Sequence, residues 1–144
     1  MTTPYPLDDN LYVAGQLDPA DFAAAAKMGI TCIINNRPDH EDRGQMTADE
    51  GRALAAEHGL GYVHLPVTAT SFSPDIVAAF ADALEKADGP VLAHCKSGAR
   101  SAVLWALGVV MRGALSHDEA VRRAAQCGID ITRPLGLLDR WRAV

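Results

Sequence analysis

Four short apolar runs divide the chain. Asn10 to Ala14 (Asn-Leu-Tyr-Val-Ala), Thr31 to Asn35 (Thr-Cys-Ile-Ile-Asn), Tyr62 to Pro66 and Val91 to Ala93 are aliphatic or β-branched with little polar alternation. That is the pattern of strands buried on both faces. The stretches between them carry helix start and stop signals. Asp18-Pro19-Ala20-Asp21 supplies an N-cap, a first-turn proline and an acid at the positive end of a dipole, and the helix stops near Met28-Gly29. Thr47-Ala48-Asp49-Glu50 is a capping box whose helix ends at His58-Gly59. Ser73-Pro74-Asp75 opens a third helix, closed before Asp88-Gly89-Pro90, and Ser101 to Met111 is apolar enough to be a buried helix. Ser116-His117-Asp118-Glu119 opens another, ending at Cys127-Gly128, and Pro134 to Val144 predicts a last one. No linker, repeat or low-complexity tract interrupts the alternation. It predicts an α/β fold in one domain, residues 1–144: a mostly parallel central sheet of about four strands, helices on both faces, and right-handed crossovers.

This order gives meaning to the polar segment His94-Cys95-Lys96-Ser97-Gly98-Ala99-Arg100-Ser101. It joins the end of the last strand to the start of the buried helix, where open α/β sheets bind ligands. Free N–H groups and the helix dipole make such a loop an anion site and favour the thiolate of a cysteine placed there. Cys95 is therefore the candidate nucleophile. Gly98 allows the tight turn, and the amides of Lys96, Ser97, Gly98, Ala99 and Arg100 are the candidate cradle. A cation at a helix start opposes the dipole, so Arg100 is better explained as a planar fork for a bound anion. Lys96 is either solvated or an attractor of anions. Arg37 follows the second strand and so also belongs to the ligand-binding rim; the alternatives are a solvated charge or a local pair with Asp39 or Glu41. Cys32 in its strand and Cys127 at a helix end read as structural.

His-Cys, a short loop and Arg-Ser resembles the active loop of cysteine-dependent phosphatases of the dual-specificity type. In that family the Cys attacks phosphorus, and loop amides and Arg hold the phosphoryl oxygens. The resemblance also implies that His94 helps to hold the thiolate and that the Ser101 hydroxyl hydrogen-bonds the sulfur. Those phosphatases have five residues between Cys and Arg, whereas here only Lys96, Ser97, Gly98 and Ala99 intervene. The shorter loop resembles that of single-domain rhodaneses, sulfurtransferases whose Cys carries a persulfide. Leu11-Tyr12-Val13-Ala14-Gly15-Gln16 and Gly29 to Pro38 (Gly-Ile-Thr-Cys-Ile-Ile-Asn-Asn-Arg-Pro) resemble the opening of small dual-specificity-type phosphatases. More closely they resemble the bacterial phosphatase-like domain of beta-lactamase-hydrolase-like proteins, roughly over residues 7 to 115.

Two features weigh the chemistry toward sulfur. A loop one residue shorter tightens the ring of amides. The loop Val67-Thr68-Ala69-Thr70-Ser71-Phe72, where phosphatases of this fold place an acid, has no carboxylate. Asp75 lies nearby but serves a helix start, and Asp39, Glu41 and Asp42 would have to reach from another loop. A missing general acid costs ~10²–10⁴ in rate, whereas a departing sulfite needs no proton. The expectation is thus a sulfurtransferase moving sulfur from a small anionic donor, thiosulfate or a persulfide, to a thiol acceptor through Cys95, with a partner enzyme of sulfide metabolism as candidate associate and no metal or organic cofactor implied. The alternatives are a phosphatase working through a Cys95 phosphoenzyme and an inactive anion-binding module.

Composition narrows the partners. Among 144 residues the formal net charge is −5, which argues against general binding of nucleic acid or of an anionic membrane. No apolar run is long enough to span a bilayer. The start, Met1-Thr2-Thr3-Pro4-Tyr5-Pro6, has no basic-then-apolar signal pattern. Three unclustered cysteines give neither a disulfide framework nor zinc spacing, so a reducing cytoplasm is expected.

Overall fold

A computed structural model describes residues 2–142. Five strands form one sheet: β1 (Tyr5–Asp8), β2 (Leu11–Ala14), β3 (Cys32–Asn35), β4 (Gly61–His64) and β5 (Val91–His94), in the order β1-β2-β5-β3-β4. All neighbours run parallel except β1, which pairs antiparallel with β2. The helices are α1 (Pro19–Lys27), α2 (Ala48–Glu57), α3 (Pro74–Lys86), α4 (Ala99–Met111), α5 (His117–Gln126) and α6 (Leu137–Arg142), the last preceded by a 3₁₀ turn at Pro134–Gly136.

Alternate residues of each central strand feed opposite cores. Leu11, Val13, Ile34, Val91 and Ala93 pack with α3, α4 and α5, while Ala14, Ile33 and Leu92 pack with Phe22 and Ala25 of α1 and Ala55 of α2. Helix α4 is buried from Ser101 to Val109, which explains its lack of a polar stripe. The alternation of strands and helices, and the parallel sheet it implies, stand as expected.

The edge strand β1 is the element the apolar pattern does not reveal. Two prolines, Pro4 and Pro6, mark its start as non-strand, yet an edge tolerates a residue without an N–H. Its hold is partly polar: Asp8 accepts from Trp105 Nε1 at 2.9 Å and from Arg123 at 2.8 Å. Element boundaries move as well. β4 ends at His64 rather than Pro66, and α4 starts at Ala99, so part of the Cys95 loop belongs to the first turn. Ala143 and Val144, assigned to the last helix by its pattern, lie outside the described residues. Among the described residues no helix is long and apolar enough to cross a membrane.

Candidate active site

The parallel strands β2, β5 and β3 all end at one rim, and the Cys95 loop sits in the middle of it. The loop is stitched to the end of β2: Cys95 N donates to the Ala14 carbonyl at 3.4 Å and Gln16 N to the Lys96 carbonyl at 3.1 Å. Approach is close enough that a Cβ on Gly15 would lie 2.9 Å from the Lys96 oxygen. Gly98, at φ 96°, turns its N–H inward to donate to Cys95 Sγ at 3.1 Å. Ser97 Oγ accepts from Ala99 N at 3.4 Å, and α4 begins there. Cys95 itself is 1% exposed. Its sulfur thus rests on a backbone amide at the positive end of the most buried helix.

Arg100 extends from the first turn of α4 with its charge close enough to Cys95 for the two to interact. Its guanidinium meets the long loop between β3 and α2, residues 36–47. Arg100 Nη1 donates to Glu41 Oε2 at 2.7 Å and to the Val67 carbonyl at 2.8 Å, and Nη2 donates to Glu41 Oε1 at 2.9 Å. The fork is thus fully engaged by a two-oxygen anion. Hydrogen bonds from Arg100, then from Arg37, hold the Glu41 carboxyl down at about 2, while the Glu41 contact raises Arg100. Neighbouring Asp42 accepts from Arg37 at 2.6 Å and pairs with Lys96 at 3.1 Å; the Lys96 contact is the main reason its carboxyl is lowered.

Arg37 is not a solvated charge. It is 3% exposed, with Nε on Glu41 at 2.9 Å and Nη1 on Gln16 Oε1 at 3.0 Å. The local pair with Glu41 is one of the arrangements the spacing allows, and burial makes it a foundation of the loop. Its carbonyl is bonded by His64 Nε2 at 2.9 Å and its N–H by Asn35 Oδ1 at 2.8 Å. Lys96 projects outward with its side chain 62% exposed.

Of the two residues that resemblance places in support of the thiolate, His94 bonds the Cys95 backbone and Ser101 bonds Asn36. His94 Nδ1 lies 3.3 Å from the Cys95 carbonyl, which can only accept, so Nδ1 carries the proton. Burial pulls this histidine down to about 4, so the ring is neutral near pH 7. The Ser101 hydroxyl donates to Asn36 Oδ1 at 2.8 Å, and Asn36 in turn donates to the Leu65 carbonyl at 2.9 Å. Asn35, Asn36, His64 and Gln16 are the supporting residues that sequence reasoning misses. Their polar types at the ends of apolar strands were the available signal.

The carboxylates sort clearly. Asp39 accepts from Ala48 N at 2.8 Å and caps α2. Asp75 is exposed in the first turn of α3. Glu41 and Asp42 are the acids that reach the Cys95 loop. In the loop after β4, Thr68 N donates to Ser71 Oγ at 2.7 Å. A cleft of about 490 Å³ opens beside Arg100 between this loop and α6. A larger one, about 720 Å³, lies at the opposite end of the sheet by Cys32 and Gly61, where the parallel strands begin, away from the Cys95 rim. Burial raises the thiols of Cys32 and Cys127, in keeping with structural roles. Among the described residues, no three His, Cys, Asp or Glu side chains gather as a metal site.

Residues 6–112 match the family described as the phosphatase-like domain of beta-lactamase hydrolase-like protein. A beta-lactamase hydrolase-like protein of Xylella fastidiosa (strain 9a5c) is 36% identical over 134 residues, which cover 93% of this chain and 31% of that protein. The chain thus spans about a third of the length of the curated relatives it matches. Among solved structures, a proposed phosphatase of Neisseria meningitidis is 35% identical with a TM-score of 0.85, covering 93% of this chain and 94% of that one. PTPMT1, solved in complex with PI(5)P, shares the fold at 17% identity, TM-score 0.75, covering 95% and 92% of the two chains.

These likenesses overturn the expected rhodanese-like sulfurtransferase working through a persulfide. That expectation rested on one short loop and on the lack of an acid after β4. The likeness to phosphatases extends over most of the fold, and the site has its carboxylates on the β3–α2 loop instead. The chain belongs to the family of phosphatase-like domains of beta-lactamase hydrolase-like proteins.

Proposed function

We propose that the chain is a cysteine-dependent phosphatase that hydrolyses phosphomonoesters through a phosphocysteine on Cys95. One observation carries this reading: beside the buried sulfur, the Arg100 fork already holds a two-oxygen anion, the Glu41 carboxylate. Two phosphoryl oxygens fit the same fork, with the loop amides and the α4 dipole serving the third. Attack of the Cys95 thiolate on phosphorus forms the S–P bond and breaks the ester P–O bond. Water then attacks the phosphocysteine, breaks S–P and releases inorganic phosphate. A phosphomonoester and water replace the sulfur donor and thiol acceptor.

The cleft beside Arg100 supports an organic leaving group of some size. Phe72, Val103 and Leu137 give it an apolar lining, and Arg133 and Arg140 outnumber Asp130 among its other charged residues. Such a cleft favours an apolar body bearing an acidic substituent. Three free cysteines suit a reducing compartment, and we place the reaction in the cytoplasm.

The test pairs two substrates. With p-nitrophenyl phosphate the wild type should release phosphate and Cys95→Ser should not. With thiosulfate the wild type should gain no sulfur by mass. Absence of phosphate release from any aryl phosphate would refute the reading.

A further inference from the structure

We propose that Glu41 is the proton donor to the leaving oxygen, delivered from the β3–α2 loop rather than the loop after β4. The inference rests on the phosphatase reading and adds the residue that the segment Val67-Thr68-Ala69-Thr70-Ser71-Phe72 does not provide. A phosphomonoester with a poor leaving group needs a proton on the departing oxygen. Of the carboxylates near the rim, Asp39 is committed to the start of α2. Asp42 is turned onto Arg37 and Lys96. Asp75 is exposed on α3. Glu41 alone among these lies on Arg100, and so next to where phosphorus must sit.

Substrate binding itself would prepare the acid. Phosphoryl oxygens entering the Arg100 fork displace the Glu41 carboxylate. The displaced group stays close, because its backbone N–H donates to Gln45 Oε1 at 3.1 Å and its Oε1 lies 2.9 Å from Arg37 Nε. Resting Glu41 is ionised because Arg100 and Arg37 stabilise its charge. Loss of Arg100 and the arrival of a phosphoryl dianion both favour the protonated form. Asp42 adds negative charge on the same side, and Lys96, paired to Asp42, partly offsets it. On the other sides Glu41 faces Arg37 and Arg100, with His64 reaching it only through the Arg37 carbonyl.

The step balances. As Cys95 sulfur bonds to phosphorus, the ester oxygen leaves and takes the proton of Glu41. The resulting carboxylate accepts a proton from the water that attacks phosphocysteine, which restores the acid.

Kinetics across leaving groups test this. Glu41→Gln should lower kcat/KM for phenyl phosphate by ~10²–10³ and for p-nitrophenyl phosphate by less than ~10-fold. Glu41→Asp, which keeps an acid, should recover part of the phenyl phosphate activity. Asp75→Asn should retain the leaving-group dependence of the wild type. Equal losses of Glu41→Gln on both substrates, or a steep leaving-group dependence in Asp75→Asn, would overturn the assignment while leaving the phosphatase reading intact. Failure of the wild type on every aryl phosphate would overturn both, and so marks the other kind of failure.

Discussion

The two loops that meet at Arg100 are built on different physics. The Cys95 loop is short and shaped by backbone: a left-handed glycine, an amide on sulfur, two hydrogen bonds to the end of β2. The β3–α2 loop is long and shaped by side chains: Arg37 is buried and charged, and its neighbours Glu41 and Asp42 compensate that charge. His40, at φ 65°, turns the chain just before them. The first loop is preorganised for an anion. The second supplies an anion of its own and gives it up when substrate arrives. Backbone donors cost no reorganisation on binding, whereas exchange of ion pairs can move a proton.

The contact between the loops is the place to break this arrangement most strongly. Arg100→Lys replaces a fork with a point charge that cannot hold two oxygens in one plane. Turnover of p-nitrophenyl phosphate should fall by ~10²–10³, the cost of losing a preorganised charge donor, with the melting temperature little changed. A variant with near-normal turnover would show that Glu41, and not the substrate, is the partner for which the fork is built.

A second test separates the loops by pH. Folded His94 sits at about 4 because of burial, against an unfolded value of about 6.5. Above about 6.5 the residue is neutral in both states and has no effect. As pH falls from 6.5 to 4 only the unfolded chain takes the proton, so stability declines, by about 3 kcal/mol in total. Urea titrations across that window should show the decline, and His94→Asn should flatten it. Glu41 and Glu119, both held at about 2 by arginine partners, lose their contributions only at lower pH, as their carboxyls gain protons below about 4.5. A flat wild-type profile between pH 6.5 and 4.5 would mean that the ring is hydrated.

The smallest expected effect sharpens the claim that the Cys95 loop is a backbone device. Gly98→Ala puts a side chain at φ 96°, and its Cβ would lie 3.4 Å from the Ala14 carbonyl carbon and oxygen. Stability should drop by about 1–2 kcal/mol, the cost of the left-handed region, as measured by urea melts. The rate of p-nitrophenyl phosphate hydrolysis should drop with it because the amide on Cys95 Sγ shifts. Wild-type stability in Gly98→Ala would contradict the strained turn.

The same contrast explains what could be read from residues alone. The parallel strands announce themselves by apolar runs, α4 by its unbroken apolar stretch, and Cys95, Gly98 and Arg100 by residue type at a strand-to-helix junction. All of these are local signals. The Arg100–Glu41 pair spans 59 positions, and no local pattern distinguishes Glu41 from Asp39, two positions before it, which caps α2. The Ser101–Asn36 bond spans 65 positions and diverts a hydroxyl that resemblance assigns to sulfur. The single missing loop residue points to the wrong chemistry for the same reason. Loop length is visible in the chain, while which carboxylate of another loop reaches the site is visible only after folding.

The phosphocysteine is the most direct test of the central claim. Wild-type protein mixed with excess p-nitrophenyl phosphate and quenched in acid within the first turnover should carry one added phosphoryl mass. Peptide mapping should place it on Cys95, with none on Cys32, Cys127 or the Cys95→Ser variant. Phosphate release with no label on Cys95 at any quench time, or undiminished turnover by Cys95→Ser, would contradict the account.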